Sequence, residues 1–361
     1  MKKKLLMLVS PRGDAMVRDV LDLATHLRDD YDMLVLASTD DKRRFRAAGV
    51  RCQGWRPGGF IGMGIAVARL RRVVTQFAPD LIHAHGFPAV AVALGTFPAS
   101  LAARTLVTFH EPQRDKELPK KLVERKLPGY LRRAARLCAT YPSLARALER
   151  RLQLADGTID VVPHAVAVPL DGGAPLVRPA TRSGPIVGWR GYLSADRSWE
   201  TAIDAFAKLR ERFPEARMEV AGAGRARNFV VAHARHLKLA SVVNFRGDVP
   251  AADLFANIDV LAVPLSNDAQ PQAPLEALVA GIPVVAANAG ALKDAILPLR
   301  TGWLVPDDTA GFVAGLTDAW TKIDDTWAGA AEQRAEARER YGRDVVGSRY
   351  RDMYDAVLAA T

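Results

Sequence analysis

Cysteine is almost missing from this chain. Cys52 and Cys138 stand alone and far apart. Two such residues make neither a metal-binding spacing nor a disulfide framework, which fits a reducing cytoplasm. Long apolar runs are missing as well. No window reaches the roughly 18 consecutive apolar residues that a membrane-crossing helix needs. The start, Met1-Lys2-Lys3-Lys4-Leu5-Leu6-Met7-Leu8-Val9, has the basic opening of a leader peptide, but its apolar run is short and Arg12 and Asp14 soon interrupt it. It reads instead as a first β-strand. Aromatic residues make up only 7% of the chain, and no aromatic–basic platform or recognition helix for nucleic acid is evident. Apolar content of 49% is that of an ordinary folded protein, which excludes a fibre or a disordered chain.

What is present points to two domains. A chain of 361 residues is too long for one ordinary core. The net charge of +10 is confined to one half: residues 1–168 hold 28 Lys/Arg against 16 Asp/Glu, a balance of +12, and the remainder holds 22 against 24, a balance of −2. The positive field of the first half can attract a membrane surface, nucleic acid or an acidic substrate.

The first half alternates strands and helices. Strands are expected at 5–9, 33–37, 81–83 and 105–109, with weaker ones at 137–139 and 159–162. Helical patterns fall near 14–28, 62–77, 88–101, 117–135 and 143–151. Such alternation predicts a mostly parallel sheet covered by helices. The Pro/Gly-rich stretch 169–184, with Asp171-Gly172-Gly173-Ala174-Pro175, reads as a linker. A second α/β series follows, with strands at 185–188, 218–222, 242–245, 259–263 and 283–286. Helices are expected at 199–213, 226–238, 251–256 and 274–280. The expected organisation is a first Rossmann-like domain over 1–168, a linker over 169–184, a second over 185–340, and a last helix over 341–361.

The segment from Val263-Pro264-Leu265-Ser266-Asn267-Asp268 to Pro274-Leu275-Glu276-Ala277 ends a strand in a polar loop and opens a helix, a place that can hold an anionic ligand. Upstream lie Val187-Gly188, Gly191-Tyr192-Leu193-Ser194, Val220-Ala221-Gly222-Ala223-Gly224 and Phe245-Arg246-Gly247-Asp248-Val249. Downstream lie Gly281-Ile282-Pro283 and Thr301-Gly302-Trp303. In order and spacing this series resembles the donor domain of the retaining, nucleotide-sugar-dependent glycosyltransferases of family 4, also called glycosyl transferase group 1.

That resemblance implies the GT-B fold, an α/β architecture of two Rossmann-like domains facing each other across a cleft, with the last helix crossing back to the first domain. It implies that Glu276 accepts hydrogen bonds from the two ribose hydroxyls of the donor, although a carboxylate near a helix N-terminus is also favourable for the helix alone. Asp268 stands where the family has a glutamate beside the donor sugar. Ala269-Gln270-Pro271 replace the family's Gly-Phe-Gly, and Pro271 has no N–H to offer. Arg197 matches the family's phosphate-binding lysine, Tyr192 stands at the arginine position, and Arg190 can supply the missing cation. Gly222, Gly247 and Leu275 complete the donor-binding set. In the first domain Gly13 remains from a turn that lies against the ligands, and His110, in Leu106-Val107-Thr108-Phe109-His110-Glu111, matches the histidine expected near the sugar hydroxyls. The catalytic set implied is therefore His110, Arg190, Arg197 and Asp268. His83 and His85, two apart on a strand, face the same side. They have no convincingly spaced third ligand, and the family needs no tightly held metal or cofactor. His164 stands where the family often has Asn-Gly and reads as a turn residue.

The reaction implied is transfer with retention from a nucleoside-diphosphate sugar (UDP, GDP or ADP) to a hydroxyl of a glycan, glycolipid or cell-envelope precursor. Two other readings stay open: a catalytically weak nucleotide-sugar-binding protein, suggested by Tyr192 and Ala269-Gln270-Pro271, and another enzyme on the same fold, such as a nucleotide-sugar epimerase. The stretch Arg114 to Arg136 carries nine basic and three acidic residues, with Leu118, Leu122 and Leu127 as an apolar stripe. It suits an anionic bilayer at the inner face of the cell membrane, and serves equally as a solvated helix. The loop Trp55-Arg56-Pro57-Gly58-Gly59-Phe60-Ile61 adds aromatic residues expected to be exposed.

Overall fold

The computed structural model describes residues 2–11, 14–57, 60–111, 126–166, 183–193, 198–264, 272–296 and 302–360. The chain divides into two compact units: Met1–Ala165 together with Arg343–Thr361, and Val166–Gly342.

The first unit is built on a seven-stranded sheet. Its strands are β1 (Lys4–Val9), β2 (Asp32–Ala37), β3 (Cys52–Gly54), β4 (Leu81–His85), β5 (Thr105–Phe109), β6 (Arg136–Ala139) and β7 (Asp160–Val161). They lie in the order β3-β2-β1-β4-β5-β6-β7, all parallel. Strands covered on both faces should be near-continuous apolar runs, and Leu5 to Val9 are all buried. Successive side chains alternate between the faces. Leu6, Leu8, Ile82, Ala84, Val107 and Phe109 enter one core cluster. Leu5, Met7, Val9, Leu81 and Leu106 enter another, with Val17, Val20 and Leu23 of the helix Asp14–Leu27 and Val346, Tyr350 and Tyr354 of the helix Arg343–Ala359. The last helix of the chain thus belongs to the first core. Arg343 reaches Asp22 at 3.1 Å and Arg351 reaches Asp30 at 2.6 Å.

The second unit repeats the plan with β8 (Ile186–Arg190), β9 (Arg217–Ala221), β10 (Val243–Gly247), β11 (Val260–Val263), β12 (Val284–Ala287) and β13 (Gly302–Val305). Their order is β10-β9-β8-β11-β12-β13, again parallel throughout. Both orders reverse direction beside the first strand of the unit, between β1 and β4 and between β8 and β11. Ligands of open parallel sheets bind at the carboxyl ends of strands at that switch point.

Several elements depart from the sequence expectation. The single helix over 88–101 is two, Phe87–Thr96 and Ala99–Ala102. Phe97 is extended (φ −76°, ψ 141°) because the ring of Pro98 disfavours helical backbone at the residue before it. Within 117–135 the described part holds only the short helix Leu127–Leu131, and 112–125, with most of the basic stretch, lies outside the described residues. Trp55 is buried rather than exposed, and its Nε1–H donates to the Ala66 carbonyl at 3.1 Å. The strand β3 and the helix Lys42–Ala47 were not expected from the sequence. The linker 169–184 lies almost wholly outside the described residues. No described helix is long and apolar enough to cross a membrane.

Candidate active site

In the second unit the carboxyl ends of β8 and β9 carry the predicted donor residues. Arg190, the last residue of β8, turns its guanidinium toward the helix Gln272–Ala280. Its Nε donates to Glu276 Oε2 at 3.1 Å and its Nη1 donates to the Val249 carbonyl at 2.8 Å. Both side chains are largely buried, 13% and 12% exposed, so each charge relies on the other. Glu276 is the fifth helical residue and not part of the first turn, because the helix starts at Gln272. Pro274 fits in that first turn, where backbone N–H groups have no intrahelical partner. The carboxylate is consequently held by Arg190 more than by the helix terminus.

The glycines at the end of β9 serve close backbone approach. Gly222 has φ +150°, and a Cβ there would overlap the Gly191 carbonyl. Its N–H donates to the Gly247 carbonyl at 2.7 Å. The Gly191 N–H donates to the Ala221 carbonyl at 3.1 Å, and that of Leu193 to Ala223 at 3.0 Å. Three loops at the strand ends are thereby knitted together through backbone alone. Gly247 also has positive φ, +72°, with open space around it. Leu275 is buried in the unit's core, so its side chain serves packing. Tyr192, at the position of the family's arginine, is 65% exposed. Of the other predicted residues, Gly13, Arg197, Asp268, Ala269 and Gln270 lie outside the described residues.

In the first unit β4 and β5 end in a column of buried histidines. His83 Nδ1 lies 2.6 Å from the Tyr354 hydroxyl and Nε2 2.7 Å from Thr108 Oγ1. Thr108 Oγ1 in turn meets the Tyr350 hydroxyl at 3.2 Å. His85 Nδ1 is 3.1 Å from His110 Nε2. His110 Nδ1 is 3.2 Å from Asp19 Oδ2, and His164 Nδ1 is 3.3 Å from that same oxygen. Asp19 Oδ1 accepts the Ala165 N–H at 2.9 Å. The turn that ends β4 is tight: Gly86 has φ +80°, and a Cβ would come within 2.8 Å of Ser10 Oγ, which bonds the His85 carbonyl and the Ala89 N–H.

Burial sets the protonation of this column. It pushes His83 down to about 3 and His85 well below its ordinary value, helped by their imidazole neighbours. His110 is also lowered, because burial outweighs the raising effect of Asp19. Burial alone would raise the Asp19 carboxyl, but the imidazole partners outweigh it and hold the group well below the carboxylate range. At neutral pH His83, His85 and His110 are therefore neutral rings near the Asp19 carboxylate.

His110 is found at the end of β5 as expected, but both its ring nitrogens face protein groups. His164, read as a turn residue, joins the same cluster. Asp19 was missed altogether, although one signal was available: it is a carboxylate on the apolar face formed by Met16, Val20 and Leu23 of a surface helix. Asp19, His110 and His164 each bring a ligand atom within 4.8 Å of the others, a grouping that sequence spacing did not reveal and one suited to a divalent metal.

Comparison with known proteins accords with this layout. Residues 16–168 match the family described as Glycosyltransferase Family 4, and residues 184–322 match Glycosyl transferases group 1. A D-inositol 3-phosphate glycosyltransferase of Streptomyces avermitilis is 38% identical over 133 residues, 35% of this chain and 28% of that protein. The chain spans less than two thirds of the length of the curated relatives it matches. A glycosyltransferase structure from Rickettsia africae superposes with a TM-score of 0.82 at 13% identity, covering all of both chains. The structure of Anabaena HepE in complex with UDP-glucose gives 0.76 at 19% identity, covering 99% of this chain and 100% of that one. At such identities the structural likeness speaks for the fold. With two parallel α/β units of GT-B type and a family match on each, this chain belongs to the glycosyltransferases of group 1 and family 4.

Proposed function

We propose that this protein transfers a sugar from a nucleoside-diphosphate sugar to a hydroxyl acceptor, with retention at the anomeric carbon. The second unit holds the donor and the first holds the acceptor. The observation that carries the reading is the Arg190–Glu276 pair at the switch point of a parallel sheet whose neighbouring loops approach through glycine. A carboxylate there matches the vicinal hydroxyls of a ribose, as in dinucleotide sites. The adjacent guanidinium, whose Nε and Nη1 are engaged by Glu276 and the Val249 carbonyl, supplies a fixed positive charge that suits a phosphate. As the glycosidic C–O bond to the diphosphate breaks, Arg190 and Arg197 stabilise the charge gathering on the leaving group. The acceptor oxygen bonds to the anomeric carbon on the face the diphosphate leaves, and its proton passes to the leaving phosphate. The products are a glycoside and a nucleoside diphosphate, and no protein nucleophile is required.

UDP is the favoured donor nucleotide, since HepE is described with UDP-glucose. A polyol or sugar-like acceptor is favoured, since the Streptomyces relative is named for an inositol phosphate. Membrane association through residues 114–136 is a part of the proposal that awaits vesicle binding.

Calorimetric titration with UDP-, GDP-, ADP- and TDP-sugars tests the reading. One donor should bind, and Glu276→Ala should weaken it about 10- to 100-fold, the loss of hydrogen bonds to a charged group. Failure of every nucleotide sugar to bind refutes it. Binding without release of nucleoside diphosphate across an acceptor panel would favour a binding protein, and conversion of the donor without any acceptor would favour an epimerase.

A further inference from the structure

A carboxylate closed off from water needs a counter-charge. Asp19 is 7% exposed, and among the described residues no lysine or arginine pairs with it. Its partners are the Ala165 N–H on Oδ1 and two imidazoles beside Oδ2. Those rings, of His110 and His164, are 1% and 3% exposed. The three side chains come from separate parts of the first unit: the helix Asp14–Leu27, the loop entered from β5 and the segment that follows β7.

The spacing of the donor atoms is that of a coordination shell. His110 Nδ1 and His164 Nδ1 lie 3.2 and 3.3 Å from Asp19 Oδ2. The three atoms all fall within 4.8 Å of one another. Tetrahedral zinc bonds of about 2.0–2.1 Å put neighbouring donor atoms about 3.3–3.4 Å apart. A hydrogen bond would give the same approach, but His110 Nδ1 is a buried atom without a hydrogen-bond partner. It lies beside the carboxylate without the alignment that a shared proton needs. The outer contacts fit as well. Oδ1 is taken by the Ala165 N–H, so Oδ2 is the donor that remains. His110 Nε2 lies 3.1 Å from His85 Nδ1, so this ring is held through the nitrogen that does not face the cluster. Metal ligands are commonly oriented by such outer hydrogen bonds.

We propose that Asp19 Oδ2, His110 Nδ1 and His164 Nδ1 bind one divalent transition-metal ion, which ties the first helix to the end of β5 and to the segment after β7. Two imidazoles and a carboxylate suit zinc or a neighbouring first-row ion, whereas calcium and magnesium take oxygen shells. Three protein donors leave a fourth position for water. The ion supplies the positive charge that no lysine or arginine brings to Asp19. It also occupies His110 Nδ1, which is then closed to a substrate. None of this rests on the sugar-transfer reading.

The test uses the full chain, expressed without an affinity tag, stripped with a chelator and titrated with zinc alone against a chromophoric competitor. One zinc per chain is expected. Loss of an outer hydrogen bond to a ligand costs about 10- to 100-fold in affinity, so loss of a ligand in Asp19→Ala or His164→Ala should cost at least about 100-fold. Zinc should raise the Tm of the native chain and leave that of Asp19→Ala unchanged. Cobalt(II) reads the coordination directly: the native chain should show the intense visible bands of a four-coordinate ion. His164→Cys keeps a ligand and should add a sulfur-to-cobalt charge-transfer band in the near ultraviolet. That spectrum decides even where the alanine variants do not fold. Tighter binding of iron(II) than of zinc, with the same dependence on Asp19 and His164, supports the site. Failure of the native chain to take up any of these ions at one per chain overturns the proposal. So does binding that both alanine variants retain, or a cobalt-loaded His164→Cys without the new band.

Discussion

Acid should unfold the first unit earlier than its carboxylates require, and His83 allows the effect to be sized. In the folded chain burial lowers this ring from 6.5 to about 3. Between those values the unfolded chain holds a proton that the folded chain refuses. Stability therefore rises with pH through this window and is lost as pH falls from about 6.5 toward 3. At pH 5 the unfolded ring is protonated for about 1.5 units of its advantage, which at 1.36 kcal/mol per unit is about 2 kcal/mol from His83 alone. His85 and His110 shift in the same direction and add to this loss. The His83 contribution alone is a sizeable share of an ordinary domain's stability of about 5–15 kcal/mol. Asp19 is also depressed, but its contribution disappears only below about pH 4, the unfolded carboxylate range. Two-unit chains do not unfold in one step, so the assay has to report the first unit separately. Equilibration in urea at pH 7 and pH 5, a short deuterium pulse at a common pH and mass spectrometry of peptides spanning β4 and β5 achieves this. His83→Gln removes one titrating group, so its loss of stability between the two pH values should be about 2 kcal/mol smaller than that of the native chain. Equal losses in the two proteins, or no loss in the native chain, would refute the reasoning.

Two further outcomes follow from single contacts. Tyr354→Phe leaves His83 Nδ1 without its 2.6 Å partner and should destabilise the first unit by about 1–3 kcal/mol in the same labelling experiment. Gly222→Ala places a methyl group against the Gly191 carbonyl at a backbone conformation that alanine resists. It should cost the second unit about 2–4 kcal/mol, read by urea titration of tryptophan fluorescence, since Trp189, Trp199, Trp303, Trp320 and Trp327 all lie in that unit.

The two parallel sheets were legible because their strands are apolar runs such as Leu5 to Val9 and Val260 to Val263, buried on both faces and separated by helix-length segments. The helix Lys42–Ala47 was not legible, because in Lys-Arg-Arg-Phe-Arg-Ala one residue, Phe45, supplies the whole buried face. The strand Cys52–Gly54 is three residues at a sheet edge and too short to show a period. Trp55 next to Gly58-Gly59 has the composition of an exposed loop, and only its bond to the Ala66 carbonyl reveals the buried site. In the candidate site, Arg190 and Glu276 were readable as chemistry but not as partners, since 86 residues separate them. The histidine cluster shows the limit most clearly. His83, His85 and His110 sit at strand ends where function was expected, yet what defines them is a carboxylate from the first helix and two tyrosines from the last. Those groups meet through the fold and share no local pattern.

The placement of the helix Arg343–Ala359 has a consequence for biosynthesis. Its Val346, Tyr350, Tyr354 and Val357 join a core whose other buried residues precede Val166. During translation the first unit is made first, yet it waits for a closing piece that leaves the ribosome only after the whole second unit has been threaded out. Until then His83 and Thr108 lack the tyrosine hydroxyls they meet in the folded unit. A stop codon that removes only this final helix would spare every residue of the second unit and still disable the unit synthesised at the opposite end of the message.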